Sequence, residues 1–125
     1  TVSPQGRILL SGGPGIFEVD PTSAELTFLG SPGAIVFGIE FDSDGRLFGG
    51  AFDMFELSPV DGSIIRTLGG LDNFIIDLDF SPDGDLFGIS SSEGALYSID
   101  LNGGTGNLDT LITQIDNDNI SSIAS

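Results

Sequence analysis

The side chains best suited to chemistry in this sequence are carboxylates and amides that fall in segments rich in turn-forming residues. Carboxylate and amide oxygens are the ligands that hard cations prefer, and they also form the paired hydrogen bonds that bind sugar hydroxyls. The alternative is that they are ordinary solvated loop residues. The candidate ligand-binding residues are Asp53, Asp72, Asn73, Glu93, Asp116, Asn117 and Asp118.

Two residue types that carry much enzyme chemistry are missing, because the chain has no His and no Cys. The absence of His excludes a Ser-His-Asp triad and imidazole metal ligands. The absence of Cys excludes disulfides and thiolate metal sites. The cofactor prediction is therefore none, or Ca²⁺ held by oxygen ligands. The segment Asp116–Asn119 lacks the glycine and the distal glutamate of an EF-hand loop, so that motif is excluded.

The charge is strongly negative, with 19 acidic residues against three arginines and a net charge of −16. Such a chain repels nucleic-acid phosphates and anionic lipid surfaces, so neither nucleic acid nor membrane insertion is expected. One interpretation of the acidity is solubility in a salty or extracellular setting, which predicts an extracellular or cell-surface location. The other is that some carboxylates bind Ca²⁺.

An internal repeat governs the fold prediction. The segments Val2–Leu9, Phe41–Phe48 and Phe80–Phe87 align on three glycines spaced by 39 residues, which are Gly6, Gly45 and Gly84. Each unit contains four short apolar segments separated by turn residues, and no helical periodicity is sustained. Four strands in a repeat of about 40 residues are typical of a β-propeller blade.

The same segments carry a family resemblance. Residues Phe80–Gly84 resemble the end of the first strand in WD40-type blades, and Leu96–Asp100 are similar to the third strand of NHL and TolB-like propellers of secreted bacterial proteins. The sequence thus predicts an all-β fold, a β-propeller with three four-stranded blades. Phe28, Phe48, Phe80 and Phe87 are expected to pack between blades, and arginines are expected to pair with Asp residues of neighbouring blades.

The predicted repeat domain covers residues 1–125, with blades at about 1–35, 36–73 and 74–118. Residues 119–125 would supply the first strand of the blade that an N-terminus completes, so the repeat is circular. Three blades are fewer than the four to eight of a usual propeller ring. One interpretation is a homodimer that forms a six-bladed ring, and the other is that these residues are an excerpt of a longer repetitive chain.

The propeller interpretation places the candidate residues. The seven loop residues fall in connections that would meet at one mouth of the ring. Glu40 and Asp79 are 39 residues apart on the predicted innermost strands, where they are candidate metal ligands in an acidic collar around the channel. The alternative is that both simply form hydrogen bonds with neighbouring strands.

Two functions remain open at this stage. The first is a non-enzymatic binding or assembly module that recognises a glycan, a cation or a protein through its mouth loops. The second is a Ca²⁺-dependent hydrolase of the lactonase type found among six-bladed propellers. The fold alone does not decide between them, because propellers host many functions.

Overall fold

The computed structural model describes residues 1–13, 15–90, 94–102 and 107–114, which are all-β and contain no helix. They form three antiparallel sheets of three, four and four strands, each a simple meander. The first sheet has β1 (Ile8–Gly12), β2 (Gly15–Val19) and β3 (Leu26–Gly30). The second has β4 (Gly38–Phe41), β5 (Leu47–Gly50), β6 (Asp53–Leu57) and β7 (Ile64–Gly70). The third has β8 (Asp77–Phe80), β9 (Leu86–Ser90), β10 (Ala95–Ile99) and β11 (Asp109–Gln114).

The aligned glycines stand at the same place in three superposable turns. Gly6, Gly45 and Gly84 have φ angles of 88°, 86° and 89°, in the left-handed region that glycine adopts without strain. In each turn a Ser or Asp three residues before the glycine accepts a bond from the amide one residue after it. The three bonds are Arg7 N to Ser3 Oγ (3.0 Å), Arg46 N to Asp42 Oδ1 (2.8 Å) and Asp85 N to Ser81 Oγ (3.2 Å).

A β-bulge also recurs in every sheet, where the last strand pairs with its neighbour. The bulge residues are Leu29, Leu68 and Ile112. After the bulge, two glycines approach the next sheet closely. A Cβ at Gly30 would overlap the carbonyl oxygen of Asp61, and a Cβ at Gly69 would lie 3.2 Å from Leu108. The spacing between sheets is therefore set by the absence of side chains at these positions.

Two separate hydrophobic cores lie between neighbouring sheets. One joins the first sheet to the second through Leu9, Ile16, Leu47, Phe55 and Leu57. The other joins the second sheet to the third, and its members include Phe48, Met54, Leu86, Tyr97 and Ile99. The second sheet contributes one face to each core, because side chains alternate between the two faces of a strand.

The first sheet differs from the predicted four-stranded blade, since it has three named strands. Val2 forms an isolated bridge with Ile8 beside β1, at the position that β4 and β8 hold in the other two sheets. The Leu9 amide donates to the Thr1 carbonyl at 2.9 Å, and the Thr1 ammonium group donates to the Leu9 carbonyl at 2.9 Å. The N-terminal residues therefore pair with β1 through a single bridge and two backbone hydrogen bonds and form no named strand.

Some side-chain expectations need correction. Phe48 and Phe80 pack between sheets with ring centroids 5.9 Å apart. Within the described chain Phe28 is 53% exposed and contacts Phe17 of its own sheet, and Phe87 is half-buried outside both cores. The arginines form ion pairs within their own sheet or hairpin: Arg7 with Glu18, Arg46 with Asp42 and Asp44, and Arg66 with Glu56. Strand neighbours and turn residues are nearer to each guanidinium than the acids of the next sheet. Among the described residues, no helix has the length and apolar character that a membrane crossing requires.

Candidate functional site

The loop face is the side of the molecule formed by the connections β1–β2, β3–β4, β5–β6 and β7–β8, and it carries the predicted ligand-binding residues that the structure describes. Asp53, Asp72 and Asn73 are on this face. Glu93, Asp116, Asn117 and Asp118 lie outside the described residues.

Asp72 and Asn73 are bound to the outermost strand of the third sheet. The buried carboxylate of Asp109, at the start of β11, accepts bonds from Asp72 N (2.7 Å), Asn73 N (3.1 Å) and Asn73 Nδ2 (2.8 Å). The Asp72 carboxylate in turn accepts a bond from Asn107 Nδ2. These groups hold the β7–β8 connection against β11, so the backbone N–H and one side-chain N–H of Asn73 are already used within the protein.

Asp53 lies next to this network. It is the exposed first residue of β6 and is paired with Gly70 at the end of β7. One of its carboxylate oxygens lies 3.6 Å from the position that a Cβ at Gly70 would take, and Asn107 Oδ1 lies 3.2 Å from that position. A side chain at this position would therefore crowd both Asp53 and Asn107.

Glu40 and Asp79 come close to each other, as their equal positions on β4 and β8 predict. Burial raises the pKa of Glu40, a hydrogen bond from the Thr1 hydroxyl lowers it, and the neighbouring charge of Asp79 raises it again, leaving it above its ordinary value. The Thr1 hydroxyl also accepts a bond from Phe41 N at 3.0 Å. The described part of the chain contains no group of three or more side chains that could hold a metal ion.

A cleft of about 510 Å³ opens on the loop face between the first and second sheets. Its walls are the β1–β2 turn and the connection from β3 to β4. None of its described lining residues is charged, although the chain has 19 acidic side chains. The polar side chains in the lining are two serines, and Ser11 Oγ donates to the Phe37 carbonyl at 2.6 Å. The apolar wall is formed by Ile16, Pro32, Ala34, Ile35, Val36, Phe37 and Phe74.

Three phenylalanines form one aromatic group at the rim of this cleft. The ring of Phe74 packs edge-on against Phe37 (centroids 5.1 Å apart) and against Phe52 (4.6 Å). Phe37 and Phe52 are each more than half exposed, as is Ile35 beside them. The backbone around the group is tied down, since Phe37 N donates to the Gly50 carbonyl at 3.0 Å and Leu71 N to the Phe52 carbonyl at 2.9 Å.

The volume and lining of the cleft are those of a site for an uncharged, apolar group. Protein cavities of about 300–1,000 Å³ with apolar walls and a few polar groups commonly bind such ligands. This site was not predicted from the sequence, because the candidate ligand-binding residues were carboxylates and amides whereas the cleft is lined largely by apolar side chains. The available signal was Phe52 in a connection between strands, a large apolar residue that does not line the cleft but packs against Phe74, which does.

No protein-family model matches this sequence, and no curated protein matches it either.

Proposed function

We propose that the three sheets are consecutive blades of a β-propeller, and that the chain is a non-enzymatic binding module that holds an apolar side chain of a partner protein in the cleft on its loop face. The blade interpretation is supported by the recurrence of one strand order, one bulge and one glycine contact in successive units. A propeller that presents its ligand site on one end of the blades is the usual arrangement of such repeats.

The observation that carries the binding proposal is the exposed aromatic group beside an uncharged cleft. Exposed apolar residues that cluster mark interaction sites, whereas single ones are ordinary on protein surfaces. Aromatic anchors that enter apolar pockets supply most of the affinity of many protein interfaces. A glycan is less well matched, because the described residues that line the cleft include no carboxylate or side-chain amide to bind paired sugar hydroxyls.

The net charge of −16 adds a condition on the partner. Complementary charge accelerates association and disfavours partners of the same sign. The partner segment should therefore present a Leu, Phe or similar side chain flanked by Lys or Arg.

Selection from a displayed library of short random peptides tests this proposal. Peptides enriched on the immobilised chain should combine aromatic or aliphatic residues with basic ones. Replacing Phe37 with Ser should weaken them about 10- to 30-fold, the effect of removing a central aromatic contact. Val60→Ser is the matched control, because Val60 is an exposed apolar residue in the β6–β7 hairpin turn, away from the loop face.

The proposal fails if no peptide is enriched, or if Phe37→Ser and Val60→Ser bind the enriched peptides as the wild type does. A glycan array probed with the same variants provides a separate check. Sugar binding that is lost in Phe37→Ser would assign the cleft to a glycan instead of a protein.

The alternative of a Ca²⁺-dependent propeller rests on Glu40 and Asp79, which come close together on the inner strands. Two neighbouring carboxylates supply only part of the six to eight oxygen ligands that Ca²⁺ takes. The protein-binding function therefore stands first.

A further inference from the structure

Each sheet has two faces, and the repeat assigns an equivalent face to every sheet. The forward face points toward the following sheet, and the backward face points toward the preceding one. The forward face of the first sheet consists of Leu9, Ile16 and Leu29. The forward face of the second sheet consists of Phe48, Met54 and Leu68. The backward face of the second sheet consists of Leu47, Phe55 and Leu57. The backward face of the third sheet consists of Leu86, Tyr97 and Ile99.

The strand registers extend this equivalence to the two remaining faces. Ile8 pairs with Val19 as Leu47 pairs with Leu57, and Leu10 pairs with Phe17 as Gly49 pairs with Phe55. The backward face of the first sheet is therefore Ile8, Phe17 and Val19, extended by Leu26 and Phe28 on β3. The forward face of the third sheet is Phe87, Leu96 and the bulge residue Ile112.

These two faces belong to neither hydrophobic core of the described residues. Leu26 and Phe28 are 55% and 53% exposed, and Ile112 is 48% exposed. In the first two sheets the equivalent bulge residues, Leu29 and Leu68, pack against a core. Within the chain, a forward face packs against a backward face twice, once between the first and second sheets and once between the second and third. The backward face of the first sheet and the forward face of the third sheet are the same two types of surface without that packing.

We infer that the backward face of the first sheet docks on the forward face of the third sheet of a second copy of this chain. The occupant follows from the repeat, because each face already packs against the equivalent of the other inside the molecule. The contact is head-to-tail, so two copies that engage both ends form a closed ring with two intermolecular joints. This inference does not depend on the cleft, since none of the five residues of the backward face lines it.

The charge of the chain sets the condition under which the joint forms. Two copies of net charge −16 repel each other at low ionic strength, and salt screens this repulsion over a distance of about 10 Å at 0.1 M. The strand positions of the backward face carry no charged side chain. The forward face carries Asp77 and Asp79 on β8, which pair with Ile89 and Phe87. Salt screens the repulsion that these carboxylates add and leaves the apolar contact intact. Association should therefore strengthen as NaCl is raised.

Sedimentation velocity and light scattering at micromolar protein in moderate salt test the inference. The expected species has twice the 12.9 kDa mass of one chain. Phe28→Asp and Ile112→Asp each introduce a carboxylate into one face, and both should give monomers with unchanged circular dichroism. Val60→Asp, at an exposed turn residue outside both faces, should remain dimeric.

A mixing experiment distinguishes head-to-tail contact from a symmetric one. Phe28→Asp chains keep an intact forward face, and Ile112→Asp chains keep an intact backward face, so an equimolar mixture should recover a two-chain species with one good joint. A monomeric wild type overturns the inference, as does a dimer that persists in both variants. A mixture that stays monomeric while the wild type is dimeric also overturns the head-to-tail arrangement.

Discussion

Replacing Asp109 with Ala should destabilise the chain strongly, because this one buried carboxylate holds the β7–β8 connection against β11. It accepts three hydrogen bonds from Asp72 and Asn73 at 2.7–3.1 Å. Hydrogen bonds to a charged group contribute about 1.5–3 kcal/mol each, but the freed amides of an accessible loop can be hydrated in the variant. We therefore expect a loss of about 2–4 kcal/mol in the free energy of unfolding.

Urea unfolding followed by circular dichroism measures this loss, and thermal melting should show a drop in Tm of about 10 °C. Asp109→Asn keeps the shape and one acceptor oxygen, so its loss should be intermediate. A double-mutant cycle with Asn73→Ala should give a coupling energy of about 1 kcal/mol or more, as residues in one network do. A change within about 0.5 kcal/mol for Asp109→Ala, the range of ordinary surface substitutions, would refute the structural role of this network.

Three further predictions concern single residues. Ala24 has a φ of 61° at the turn position that Gly62 (φ 74°) occupies in the next unit of the repeat. Because glycine adopts a positive φ without strain, Ala24→Gly should raise the free energy of unfolding by about 0.5–1 kcal/mol, and Gly62→Ala should lower it. Thermal melting measures both changes. Because the pKa of Glu40 is raised in the folded chain, the folded chain binds this proton more tightly than the unfolded chain does. The protonated side chain therefore favours folding at low pH, and this stabilisation is lost as the pH rises from the ordinary pKa of glutamate through the raised pKa. Glu40→Gln should remove that part of the dependence and exceed the wild type in urea unfolding at neutral pH, whereas equal pH profiles would contradict it. The alternative of a Ca²⁺ site predicts calorimetric binding at about 10⁻⁴–10⁻³ M that disappears in Glu40→Gln and Asp79→Asn, and no heat from the wild type would exclude that site.

The strands and turns were predictable from the sequence because they follow from local rules. The spacing of Gly6, Gly45 and Gly84 predicted three equivalent hairpins, and all three glycines have the positive φ that such turns need. The four strands of the second sheet begin and end within two residues of the apolar segments that the sequence predicts, at 36–41, 46–52, 54–57 and 64–68. Alternation of side chains also brought Glu40 and Asp79 to equivalent places.

The candidate site was less predictable, because its partners are distant in the sequence. Asn73 in the β7–β8 connection and Asp109 in β11 are 36 residues apart, so no local pattern indicates that they bind each other. The same holds for the aromatic group, in which Phe37, Phe52 and Phe74 come from three connections. Residue type alone made the carboxylates candidates for ligand binding, whereas the fold around the cleft makes the phenylalanines candidates.

The placement of the two cores has a consequence for how the molecule comes apart. Each core is shared by two adjacent sheets only, so each of the three sheets is stabilised by contacts with the sheet or sheets next to it. The middle sheet belongs to both cores and cannot open without losing both, whereas either outer sheet can detach at the expense of one. Amide hydrogens of β5 and β6 should therefore exchange most slowly, while β2 and β10 exchange through partial openings. The cooperativity of unfolding then depends on how many neighbouring sheets each sheet packs against. If the two outer sheets each gained a second neighbour, their amide hydrogens would be as well protected from exchange as those of the middle sheet.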